Sequence, residues 1–292
     1  MNFLKALFGN AEETPEEEKK NAEARKFDLV KYDGVKAMKI GRFDYAVNCF
    51  EEALRMQDDL EVHDYLSRAY LQQGENELAM QQLQLLMDAQ PDNKALPMQA
   101  AHVAYIMEDY DLMQQLCERS LAIDDQNARA HYAFAQACLG KKDYVNAIAR
   151  LTKCIALEES FGDAYLLRGQ TLLALGDIVG AEADAKWLMD HAAAHEEVLL
   201  LAARVQRAKG NADLAIRIYN VVNEVNPFQI DAYRERGQLR FEQGDKQGAQ
   251  EDMQKVLELN PDEVADVNGE YSAEGIEHKV KQAYSALNPF GL

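Results

Sequence analysis

Leu259-Asn260-Pro261-Asp262 echoes Val225-Asn226-Pro227-Phe228 at a distance of 34 residues. A recurrence at that step constrains the fold more than any composition does, because periods of roughly 20–50 residues are left in a sequence by stacked copies of one supersecondary unit. Other residue types keep the step. Gly176, Gly210 and Gly244 share it, as do Ala147, Ala181, Ala215 and Ala249, and Tyr110 with Tyr144. Gly41 to Gly74 and Ala46 to Ala79 step by 33, which reads as a one-residue deletion in the first connection. Seven units result, at 27–59, 60–93, 94–127, 128–161, 162–195, 196–229 and 230–263.

Each unit reads as two helices and a short turn. In "AYLLRGQTLLALGDIVGAEADAKWLMD" the phrase "LGD" separates two stretches of helical apolar periodicity. The Gly there permits the positive φ that ends a helix, and Asp177 can cap the next one. Small residues such as Gly169 and Ala181 fall where two helices must approach closely, and large ones such as Tyr165, Leu172 and Tyr219 fill the gaps between them. With 6 Pro and 16 Gly in 292 residues, 48% of them hydrophobic, the chain has the composition of a helical protein with a sizeable core.

Together these residues resemble the tetratricopeptide repeat, TPR, with its small residue in the first helix, Gly before an aromatic at the turn, Ala in the second helix and Pro at the end. The seventh unit fits through Tyr233, Gly237, Gly244, Ala249, Leu257 and Pro261, and the sixth fits comparably. The third departs most, with Glu108 where Gly is expected, Met113 for Ala, and Pro97, which is tolerable only in a first turn. The resemblance covers about four fifths of the chain. It implies an all-α fold, a right-handed α-solenoid of helix pairs whose first helices line a concave groove.

A stacked array needs caps at its ends. Residues 264–292 are expected to supply one, through a C-terminal capping helix with Ile276, Val280, Ala283, Tyr284 and Leu287 on one stripe, followed by an apolar tail, "NPFGL". Residues 1–26 read as an amphipathic and charged lead-in, where Thr14, Pro15 and Glu17 have the types of an N-cap, a first-turn proline and a capping box.

If first helices line a groove, one position followed through the units names its surface. Arg68, His102, Gln136, Gln170, Arg204 and Gln238 lie on such a line, each 34 residues from the last. One turn earlier come Met98, Tyr132 and Arg234, and about one turn later Leu71, Tyr105, Arg207 and Phe241. A ladder of hydrogen-bond donors flanked by aromatic and aliphatic side chains suits an extended peptide. The candidate peptide-binding residues are therefore Arg68, His102, Tyr105, Tyr132, Gln136, Gln170, Arg204, Arg207, Arg234, Gln238 and Phe241. The arginines favour an acidic segment or a C-terminal carboxylate. The competing reading is a solvated surface of ordinary pairs such as Asp64 with Arg68. TPR proteins that receive chaperone tails share a carboxylate clamp of Lys and Asn, and here Lys31 is followed by Val35, with Tyr65, Ala95 and Gln99 at the matching downstream places, so that ligand is not expected.

A net charge of −19 argues against a general nucleic-acid binder. Cys49, Cys117, Cys138 and Cys154 lie far apart without CxxC pairing and read as reduced core thiols. His191 and His195 have the spacing of a metal pair on a helix but no third ligand at motif spacing, and a surface pair is the preferred reading. No nucleophile, phosphate-loop or dinucleotide motif appears, so neither catalysis, a metal nor a cofactor is expected. No run approaches the ~18 apolar residues of a membrane span. "MNFLKALFGN" makes a poor secretory signal, and the cytoplasm is the expected location. The expected function is a non-enzymatic adaptor for a protein or peptide partner. Its rivals are a self-associating scaffold using Trp187, the convex face or the chain ends, and an accessory subunit of a larger complex.

Overall fold

The computed structural model describes residues 14–193 and 195–260. Among them are fourteen α-helices and no strand. In chain order they are α1 (Pro15–Lys39), α2 (Phe43–Met56), α3 (Leu60–Gln73), α4 (Asn76–Ala89), α5 (Ala95–Ile106), α6 (Tyr110–Ile123), α7 (Ala128–Gly140), α8 (Tyr144–Leu157), α9 (Gly162–Ala174), α10 (Ile178–Ala192), α11 (Glu196–Ala208), α12 (Ala212–Val225), α13 (Ile230–Glu242) and α14 (Lys246–Leu259). Odd-numbered helices are the first, and even-numbered the second, of each repeat. The all-α helix-pair architecture is the one the 34-residue period implied. The capping helix expected within 264–292 lies outside the described residues, as does the start of the lead-in.

The chain forms two compact units, 1–142 and 143–292, which divide in the turn of the fourth repeat. Within each, every helix packs on the next along the chain. The first unit begins with a capping box. Thr14 Oγ1 accepts the Glu17 N–H, and the Glu17 carboxylate accepts the Thr14 N–H at 2.8 Å, so two of the orphan donors of the first turn are satisfied. α1 runs on unbroken, and its burial begins at Phe27.

The turns inside the repeats explain the recurring glycine. Gly41, Gly74, Gly176, Gly210 and Gly244 all have φ between 72° and 86°, the left-handed region that a Cβ disfavours. Glu108 and Lys142 hold the same place in the third and fourth repeats at φ 55° and 60° without that freedom. The aspartates that follow cap the second helices. Asp109, Asp143, Asp177 and Asp245 each accept the N–H three residues on.

Packing explains the recurring alanine. Ala46, Ala79, Ala147, Ala181, Ala215 and Ala249 are wholly buried at helix crossings, and Met113 fills the same place in the third repeat. Gly169 is required by approach alone, since a Cβ there would come within 2.9 Å of Leu201. Tyr219 is the largest fully buried side chain among the described residues and anchors a core with Leu199, Ala203, Val222, Ala232 and Leu239. Pro97 sits in the first turn of α5, where the missing N–H costs no helical bond.

Candidate functional site

In the first unit, α3 and α5 carry Asp64, Arg68 and Leu71, and Met98, His102 and Tyr105, at i, i+4 and i+7 on one face each. Arg68, Leu71, Met98 and His102 come together around a cleft of about 360 Å³, completed by Ser67, Leu83, Gln99 and Val103. Asp64 and Arg68 also line a neighbouring cleft of about 340 Å³, with Gln90, Asn93 and Gln99 among its walls. Arg68 and Gln99 thus stand where two depressions meet. The Arg68 guanidinium is exposed and lies 2.8 Å from the Asp64 carboxylate, which orients it along α3. His102 and Tyr105 are exposed, while Tyr132 and Gln136 of α7 are half-buried. The arrangement offers a charge, an imidazole and an amide around apolar walls, which can grip a side chain and its flanking polar groups, while the Ser67 hydroxyl donates to the Asp64 carbonyl. Gln99, Leu83 and Asn93 escaped the one-position ladder because they lie off its line.

In the second unit the ladder residues are more occupied. Gln170 of α9 is half-buried. Arg204 of α11 donates from Nε and Nη2 to Glu235 of α13 at 2.9 and 2.6 Å, and lies 3.4 Å from Asp231. Burial of the Arg204 head opposes its charge, but Glu235, with Tyr219 and Asp231, outweighs that and holds its pKa above the ordinary guanidinium value. Arg234 is 2.8 Å from Asp231, and Gln238 donates to Glu242 at 3.1 Å. Phe241 packs against Met253 and Val256 of α14. Arg207, half-buried, has no ion-pair partner among the described residues.

Lys31, at the place where a carboxylate clamp would start, is buried with its ammonium 3.2 Å from Asp59 and 2.6 Å from Glu61. Its charge is committed to the first repeat step. Trp187 is sandwiched, its ring 3.9 Å from Tyr165 and 4.1 Å from His191, and the His191 Nδ1–H donates to the Trp187 carbonyl at 2.7 Å. α10 ends at Ala192 and His195 precedes α11, so the two histidines do not share a helix.

A pair of buried ion pairs was missed by single-period reading. Arg168 of α9 binds the buried Asp184 of α10 through two nitrogens at 2.9 and 2.6 Å, and Thr152 of α8 at 3.0 Å. Arg236 of α13 binds the buried Asp252 of α14 and Asn220 of α12 in the same way. Tyr165 and Tyr233 lie beneath the two guanidinium groups, 5.6 and 5.3 Å away. The two sets are two repeat lengths apart, and only that doubled step would have exposed them.

Residues 230–263 and 34–94 each match a tetratricopeptide repeat family model. No curated protein sequence is significantly similar to the chain. Among solved structures, a tetratricopeptide repeat protein from Parabacteroides merdae is similar over 89% of this chain and 99% of its own, at 14% identity and a TM-score of 0.67. PilW, described as a widely conserved type IV pilus biogenesis factor, is similar over 76% of this chain and 98% of its own, at 16% identity and a TM-score of 0.62. YrrB, described as a TPR protein with an unusual peptide-binding site, is similar over 68% of this chain and 97% of its own, at 16% identity and a TM-score of 0.54. At these identities the likeness is one of fold. Matched repeats near both ends of the array, fourteen helices at the repeat period and that shared fold make this chain a tetratricopeptide-repeat protein.

Proposed function

We propose that the protein is a non-enzymatic interaction scaffold that holds an extended, acidic peptide segment of a partner protein against its first helices. The observation that carries this reading is the cleft between α3 and α5, where Arg68, Leu71, Met98 and His102 from two successive repeats meet around one depression. Its volume, about 360 Å³, is at the small end of ligand-sized pockets and suits one or two side chains. The exposed Arg68 head and the neighbouring imidazole favour a carboxylate beside that anchor. YrrB, of similar fold, is described as having a peptide-binding site, which supports this reading, and a body of net charge −19 disfavours nucleic acid as the partner. No helix among the described residues is long and apolar enough to cross a membrane, and the adaptor reading is that of a cytoplasmic protein.

The test is fluorescence anisotropy with labelled peptides in which a Leu or Met is flanked by Asp and Glu, against neutral and basic counterparts. Acidic peptides are expected to bind best, and Arg68→Glu with His102→Ala to weaken them by about tenfold while leaving the thermal unfolding midpoint in place. Equal binding of acidic and basic peptides, or none by any of them, would remove the proposal.

A further inference from the structure

Ala202 of α11 and Ile218 of α12 stand, in the sixth repeat, where the fifth and seventh repeats place Arg168 with Asp184 and Arg236 with Asp252. No guanidinium fills that space, and a cleft of about 550 Å³ opens between α10 and α11, with Ile218 of α12 at its edge. Val179, Met189, Ala202 and Ile218 give it apolar walls, and Glu182 and Lys186 lie at its polar side.

Beside the cleft, α12 carries a second apolar face. Ala215, Tyr219 and Val222 face the core and are fully buried. Leu214, Ile218, Val221 and Val225 form an outer stripe that Phe228 continues just past the helix, with intervals of four, three, four and three residues. Leu214, Val221, Val225 and Phe228 remain 37, 42, 51 and 75% exposed. That alternation is the spacing of a helix-pairing seam. The repeat does not impose it, because α14 has Gly248, Asp252 and Lys255 at the positions of Leu214, Ile218 and Val221. Along the open flank of the seam lie Arg217 and Glu224, seven residues apart, both exposed and neither with an ion-pair partner among the described residues.

We propose that residues 143–292 self-associate through α12, two copies packing antiparallel about a two-fold axis that crosses the helix near Asn220 and Val221. The seam is self-complementary under that operation alone. It sets Arg217 of each copy beside Glu224 of the other, and it brings Phe228 of each to the N-terminal end of the other's α12. A closed, isologous pair results. The pairing of Arg217 with Glu224 gives two bodies of net charge −19 a place to meet through opposite charges. One 14-residue helix is small beside the roughly 800 Å² per partner of a standard interface, so the dimer is weak and reversible. None of these residues belongs to the first-helix ladder, and the inference stands apart from peptide binding.

Sedimentation equilibrium of the full chain over a hundredfold range of concentration tests it. The mass is expected to rise from monomer toward dimer. Arg217→Glu and Glu224→Arg, both surface changes, are each expected to raise the dissociation constant by about tenfold, and the double variant Arg217→Glu/Glu224→Arg to restore it. Val221→Asp is expected to leave a monomer with an unchanged unfolding midpoint. A chain that stays monomeric throughout, a dimer indifferent to the single charge reversals, or a double variant as weak as the singles would each overturn the proposal.

Discussion

Arg204 and Glu235 are locked together across the step between the sixth and seventh repeats, with Nη2 and Nε of the guanidinium 2.6 and 2.9 Å from one carboxylate oxygen. The other oxygen of Glu235 accepts the hydroxyl of Tyr219 at 2.6 Å, so a single carboxylate joins α11, α12 and α13. Burial, then the charge and hydrogen bond of Glu235, hold the Tyr219 phenol far above its ordinary pKa. The bond therefore persists as a neutral donor to a carboxylate.

Arg204→Ala is accordingly expected to cost about 2 kcal/mol, because it leaves Glu235 half-buried with only Tyr219, and Tyr219→Phe about 1 kcal/mol. Arg207→Ala, one turn on, is expected to stay within about 0.5 kcal/mol. Urea denaturation followed by circular dichroism separates them. Equal losses at Arg204 and Arg207 would show that the network bears little of the stability.

The period of 34 was readable because it is set by backbone needs that few residue types meet: a left-handed turn at Gly74 or Gly176, zero clearance at Ala181 or Ala215. Pairwise polar contacts leave no such mark. Arg204 and Gln238 were alike in register, yet the first faces Glu235 on the neighbouring helix and the second a glutamate on its own. Which groove residue is free depends on what the next repeat presents, and a one-position ladder cannot carry that. Phe241 shows the same limit from the apolar side, since it packs inward against Met253 and Val256 of the following helix.

The buried Arg168–Asp184 pair should be costly to break and cheap to replace. Arg168→Ala strands Asp184, which is 2% exposed, and is expected to lose about 3 kcal/mol or more. The sixth repeat solves the same position with Ala202 and Ile218. Arg168→Ala/Asp184→Ile, which copies that solution, is expected to lose less than half as much as the single change. A double variant less stable than Arg168→Ala would mean that the pair is needed for more than its own neutralisation.

Glu108 and Lys142 occupy left-handed turns that cost a residue with a Cβ about 1–2 kcal/mol, partly offset by the greater unfolded-chain freedom that glycine would bring. Glu108→Gly and Lys142→Gly are each expected to stabilise by about 0.5 kcal/mol. Gly74→Ala is expected to cost about 1 kcal/mol, and because nothing lies within 4 Å of a Cβ there, the loss would come from the backbone alone. Thermal unfolding midpoints that rise in the first two variants and fall in the third would bear this out; an unchanged Gly74→Ala midpoint would contradict it.

Asp59 caps α3 by accepting the Val62 N–H at 2.9 Å and also receives the buried ammonium of Lys31. Burial raises its pKa, but the Val62 N–H and Lys31 outweigh this and leave it below the ordinary carboxylate value. Burial likewise works against Lys31, whose bonds to Glu61 and Asp59 leave it above the ordinary lysine value. The Asp59 contribution is therefore present above the usual carboxylate range and is lost as pH falls through its lowered pKa. The Lys31 contribution is present below the usual lysine range and is lost only as pH rises through its raised pKa. Stability from this pair is flat across neutrality. Asp59→Asn keeps a side chain that can cap and removes the charge, whereas Asp59→Ala removes both and is expected to cost about 1 kcal/mol more. Denaturation midpoints measured from acid to neutral pH should show both variants with a shallower acid limb than the parent. A parent limb reproduced by Asp59→Asn would assign the acid sensitivity to other carboxylates.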